Sequence, residues 1–148
     1  MSIWADLNHL QVGRYGEYVA KMALVRAGFD VFSPEVDDKG IDFVLRVHGD
    51  PPRYHDVQVK TVRRTSYVFM RKDKFRLTPS LLLALVVLPE NREPEMYLIP
   101  SSAWREARHP FVDRDYADKT SAPEYGIVLS PAALTALARF RFEGTLPE

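Results

Sequence analysis

From Asn8 onward the chain places small and apolar side chains at helical intervals. Val12, Gly13, Gly16, Ala20, Ala23, Leu24 and Ala27 fall on one side, and Arg14, Tyr18, Lys21 and Arg26 on the other. Asn8 is a natural N-cap and Gly28 a natural left-handed stop, so the spacing predicts a helix reaching about Ala27. The period then shortens. "FDVFS" reads as a brief strand, and Ile41, Phe43, Leu45 and Val47 alternate with polar neighbours. Beyond the turn residues Gly49-Asp50-Pro51-Pro52, Val57, Val59 and Thr61 alternate against Asp56, Gln58 and Lys60. Residues 40–48 and 54–64 are thus expected to form a β-hairpin. With Pro51 at the turn centre, Asp42 would lie opposite Lys60, Val44 opposite Gln58 and Arg46 opposite Asp56.

Farther along, "SYVFMRK" suggests a third antiparallel strand, and "KDKFRLTPS" a turn or a short helix. "LLLALVVLPE" is apolar on both faces, as a central strand is. "EMYLIPS" is expected beside it, followed by a short helix near residues 102–107. Residues 108–124 read as an irregular loop and "YGIVLS" as another strand. Ser130-Pro131 then opens a last helix, "AALTALARF", with a hydroxyl cap and a proline in the first turn. Helix, several strands, helix implies an α/β fold around one sheet, with residues 1–148 as a single domain.

Composition narrows the class. There is no cysteine, which removes disulfides, thiolate zinc sites and a cysteine nucleophile together. The longest apolar run, Leu81 to Leu88, is too short to span a bilayer, and no targeting segment is visible. A cytoplasmic protein with no membrane association is expected. The formal net charge is zero, which by itself would suit a partner-binding protein with no nucleic-acid role. The charge is unevenly spread, however. Residues 60–76 hold Lys60, Arg63, Arg64, Arg71, Lys72, Lys74 and Arg76 against Asp73 alone. One reading is a solvated hairpin face. The other is a phosphate-binding stripe with Tyr67 and Phe69 interleaved.

Four residues resist a purely structural reading. Glu17 lies about 60° from Ala20 around the first helix, within its apolar side. An unpaired carboxylate there costs several kcal/mol, so it needs a partner: a core arginine, a backbone group or a ligand. Asp42, Gln58 and Lys60 gather at the open end of the hairpin, on a face the first helix is expected to cover. An Asp42–Lys60 ion pair would account for two of them. So would chemistry. Mg²⁺ or Mn²⁺ takes oxygen ligands, and a lysine beside it can orient a water or neutralise charge developing on phosphorus.

In order, "GRYGEYVAKMALVRAGFDVF", "GIDFVLRV" and "VQVK" resemble the PD-(D/E)XK nuclease superfamily over about residues 12–62. The resemblance implies a restriction-endonuclease-like αβββαβ core, with a central mixed sheet flanked by helices. It also implies a divalent metal and endonuclease action on DNA, with RNA left open. On that basis Glu17 matches the helix glutamate, Asp42 the metal aspartate and Lys60 the catalytic lysine. Gln58 stands where the usual acid would be, and the Val59 backbone carbonyl is a further ligand by analogy. Holliday-junction resolvases and restriction enzymes belong to this superfamily. Arg63, Arg64, Arg71, Lys72, Lys74 and Arg76 would grip the nucleic acid, and a homodimer would suit cutting two strands. Because an amide is a weaker, uncharged ligand, the alternative is a nuclease-fold module that binds nucleic acid or a protein without cutting. No HExxH, GxSxG, P-loop or GxGxxG occurs. His55, Trp4 and Trp104 read as structural, and Glu35, Asp37 and Asp38 as a solvated turn or a second acidic patch.

Overall fold

The computed structural model describes residues 3–36, 38–63, 66–117 and 120–147. The first helix, α1 (His9–Arg26), begins as its sequence requires. The Asn8 side chain accepts from Gln11 N while the Gln11 side chain accepts from Asn8 N, both at 2.9 Å. It ends at Ala27, and Gly28 takes φ +95°. The strands follow as β1 (Asp30–Phe32), β2 (Phe43–Val47), β3 (Arg53–Val62), β4 (Tyr67–Arg71), β5 (Leu81–Val87) and β6 (Glu95–Pro100). A 3₁₀ turn at Ser101–Trp104 precedes β7 (Phe111–Arg114), β8 (Glu124–Val128) and α2 (Pro131–Ala136).

Two sheets result. The larger runs β1-β2-β3-β5-β6 and is antiparallel except where β3 pairs with β5. The smaller runs β4-β8-β7. Every residue of β5 is buried, and alternation sorts them. Leu82, Ala84 and Val86 pack with Ala20, Leu24, Phe43, Leu45 and Val57 under α1. Leu81, Leu83, Leu85 and Val87 pack with Val68, Met70, Phe75, Trp104 and Ile127 under the smaller sheet. The larger sheet is therefore sandwiched between α1 and the smaller sheet. Trp104 seals the second interface, edge-on to both Phe75 and Phe111 and donating its indole N–H to Gly126 O at 2.9 Å. Trp4 likewise packs in the core and donates to Pro89 O.

The mixed α/β fold expected from the sequence is present, with a second sheet beside the single one expected and several further differences in detail. First, the hairpin pairs Val47 with Arg53 and Val44 with Asp56, so it turns about Asp50 rather than Pro51. Asp42 is brought level with Val57 and Gln58, not Lys60. The slip is two residues, and it leaves every side chain on its original face, so apolar alternation alone does not choose between the registers. Arg46 does not pair with Asp56; its partner is Asp30 of β1, at 3.1 Å. Second, β4 does not join the hairpin but pairs with β8 in the other sheet. Third, β4 and the turns after it occupy the crossover between parallel β3 and β5, where the expected core has a helix. Fourth, the 108–124 stretch contains β7, an edge strand whose Asp113 and Arg114 are exposed and so carry no apolar signal. The last helix is shorter than its sequence suggested, giving way after Ala136 to a 3₁₀ turn.

Candidate functional site

The ladder between β2 and β3 runs only from Arg53 to Val57. Beyond that point β3 continues beside β5 alone, which leaves an open fork. Asp42 sits at the fork. Its N–H donates to Val57 O at 2.9 Å, and its Oδ2 accepts from Val59 N at 2.7 Å. The carboxylate thus takes over the backbone donor that β2 no longer satisfies. Val59, whose carbonyl the superfamily resemblance names, is tied to Asp42 through its N–H.

Gln58 and Lys60 follow on β3, facing away from α1. Gln58 is buried, and its Oε1 has no hydrogen-bond partner among the described residues. Gly40 passes beside this amide at φ +78°, close enough that a Cβ there would lie 3.8 Å from Gln58 Nε2. Burial lowers the Lys60 ammonium pKa from its ordinary value, and the neighbouring Asp42 charge opposes part of that shift. Gln58 and Lys60 line a cavity of about 360 Å³ together with Asp38, Gly40, Phe69, Arg71 and Lys74.

Glu17 is placed differently from its expectation. Gly16 is pressed against Thr61 of β3, where a Cβ would come within 1.7 Å of the threonine Oγ1. This carries Glu17 to the C-terminal half of β3. However, α1 covers the Phe43, Leu45 and Val57 face, whereas Gln58 and Lys60 share the Val62 face toward the smaller sheet. The carboxylate meets Arg14 of its own helix at 3.2 Å rather than a core arginine. Asp42, Gln58 and Lys60 are therefore together at the fork, and Glu17 approaches from the other side of β3.

The basic segment divides. Arg71 and Lys74 line the Gln58–Lys60 cavity. Arg71 is held by Asp73, and Lys74 Nζ donates to Asp38 O at 2.6 Å. Lys74 and Arg76 also line an adjoining cavity of about 380 Å³ with Lys39, Asp56 and Asp73. Arg63 instead ties down the N-terminal segment, donating to Trp4 O and Leu7 O. Lys72 is engaged by Asp113 and Asp115 beside the Tyr125 ring. Arg64 and Asp37 lie outside the described residues. Glu35 and Asp38 are exposed, as a solvated turn would be. What periodicity did not single out is the backbone of Asp38 and Gly40 as a wall of the site; the glycine before "IDF" was its one signal.

A solved structure shares this architecture. Hjc, a Holliday junction resolvase from the archaeal hyperthermophile Archaeoglobus fulgidus, aligns with a TM-score of 0.50 over 88% of this chain and 90% of that one. The chain has the restriction-endonuclease-like fold. Sequence identity to Hjc is 13%, so the likeness concerns fold alone. No family model matches the chain, and no curated protein matches its sequence. Within the restriction-endonuclease-like fold seen here, no described helix is long and apolar enough to cross a membrane. No three His, Cys, Asp or Glu side chains gather among the described residues, so a cation at the fork would depend on amide or carbonyl oxygens as well.

Proposed function

We propose that this chain is a metal-dependent endonuclease that hydrolyses phosphodiester bonds in DNA. The observation that carries the reading is the convergence of Asp42, Gln58 and Lys60 where β2 parts from β3, on a restriction-endonuclease-like fold. The donor set suits Mg²⁺ or Mn²⁺. A buried amide oxygen left without a donor costs roughly 1–3 kcal/mol, and a hard cation would satisfy it. Asp42 and Gln58 Oε1 would hold the ion with the Val59 carbonyl, and Glu17 would join them by leaving Arg14 and reaching past β3. When bound, the ion polarises the phosphate and makes a coordinated water more acidic.

The chain's own groups do the rest. Lys60, half-buried and with its pKa lowered by burial, would orient or deprotonate the attacking water or, as the ammonium, offset the charge developing at phosphorus. Arg71 and Lys74, on the rim of the same cavity, bind flanking phosphates. A homodimer would supply two such sites for two strands.

The test is cleavage of labelled single-stranded, duplex and branched DNA with Mg²⁺, Mn²⁺ or EDTA, in wild type, Asp42→Ala and Lys60→Ala. Metal-dependent cutting lost in both variants is expected. Full cutting by both would refute the site. Binding of DNA without cutting by the wild type would leave the non-catalytic module as the correct reading.

A further inference from the structure

The outward face of β4 presents an aromatic pair beside the proposed site. Val68 and Met70 point into the core, which turns Tyr67, Phe69 and Arg71 outward. Phe69 is 49% exposed, yet it lines the same cavity as Gln58, Lys60, Arg71 and Lys74. A large aromatic side chain in that position is not explained by the core.

Its setting is rigid. Tyr67 stacks on Phe69 with ring centroids 6.3 Å apart and planes at 17°. The Tyr67 hydroxyl donates to the buried Glu124 carboxylate, and its ring end lies so close to Gly126 that a Cβ there would sit 2.0 Å from the phenol oxygen. The Gly126 carbonyl is held in turn by the Trp104 indole. Arg114 covers the Tyr67 ring at 4.9 Å. Phe69 is thus backed by a second ring that cannot easily move, so ordering it around a ligand costs little conformational entropy.

We propose that Phe69 is a stacking platform for an unpaired base of the substrate strand, so that the preferred substrate presents single-stranded DNA at the site. This deepens the nuclease reading and rests on it for the identity of the ligand. The cavity offers both halves of nucleotide recognition: Arg71 and Lys74 for phosphates, and an exposed, pre-ordered π face for a base. In an intact duplex the base faces are already stacked on one another. Only a gap, a flap, an open branch or a free strand has a base face to give. Stacking of this kind tolerates any base, so the platform selects substrate shape, not sequence.

Fluorescence anisotropy in EDTA, so that no cutting intervenes, would compare a single strand with a blunt duplex of the same length. Phe69→Ala and Phe69→Leu are expected to weaken single-strand binding roughly tenfold and duplex binding by less than about twofold, while Phe69→Trp keeps the wild-type affinity. Circular dichroism of each variant checks the fold, and the leucine variant preserves apolar area should alanine fail to fold. Full single-strand affinity in Phe69→Leu, or equal losses on both substrates, would overturn the proposal. If the Phe69 pattern holds while Asp42→Ala and Lys60→Ala leave cleavage untouched, the platform stands and the catalytic assignment falls. A wild type that binds neither DNA would remove both.

Discussion

At the scale of single residues, the proposed chemistry turns on Lys60 and Gln58. Burial depresses the Lys60 pKa, and Asp42 limits the depression. The cleavage rate is therefore expected to rise with pH and level off below the ordinary lysine value. Lys60→Arg, which keeps the charge but cannot give up its proton, should lose roughly 10²–10⁴ in rate; a pH–rate profile of both proteins checks this. Gln58→Glu would replace the proposed uncharged oxygen ligand by a carboxylate, and calorimetry should find Mn²⁺ bound more tightly by about tenfold or more. His55 offers a separate residue-level test. Burial holds its imidazole below the usual range, with Arg53 adding to the effect. A lowered folded-state pKa means that the unfolded chain takes up the proton first. The stability from this group is thus full above the unfolded pKa near 6.5 and is lost as pH falls from there toward the folded value. Urea melts across pH 5 to 8 should show that slope in the wild type and a flatter one in His55→Gln.

Among elements, the contact of α1 with β3 brings Glu17 near the fork. It depends on Gly16 having no side chain where Thr61 stands. Gly16→Ala should cost roughly 1–3 kcal/mol by overpacking, read by urea denaturation, and Thr61→Ala in the same chain should recover part of it. The start and end of α1 and the start of α2 were legible because their signals are local: Asn8 caps α1, Gly28 stops it, and Ser130 caps α2, accepting from Ala133 N. Partner choice is not local. The alternation in β4 told which side chains turn inward, but any edge with a matching apolar face would have suited it, and β8 is the one that pairs. The hairpin register behaved similarly, because a two-residue slip exchanges no side chain between faces. Arg46 and Asp56 made a sensible pair on paper, but Asp30 on the far side of β2 takes the arginine.

For the whole molecule, the basic run from Lys60 to Arg76 is one block in sequence and several places in space. Arg71 and Lys74 flank the site, whereas Arg63 and Lys72 are engaged by backbone carbonyls and carboxylates elsewhere. Replacing Arg71 and Lys74 together by alanine should weaken DNA binding at all sequences and reduce the slope of log affinity against log salt by about two. Lys72→Ala should barely change that slope, and titrations at several salt concentrations separate the two. The sequence by itself determined the α/β class, the extent of α1, the two-sided burial of β5 and the ordered set Glu17, Asp42, Gln58 and Lys60. These follow from periodicities, caps and residue chemistry that act over a few neighbours. Only the tertiary structure decided which strands meet, where β2 leaves β3, which cations border the site, and that Phe69 stands there on Tyr67. Those depend on contacts between segments far apart in the chain, and alternation fixes the face of a side chain but not the partner across from it.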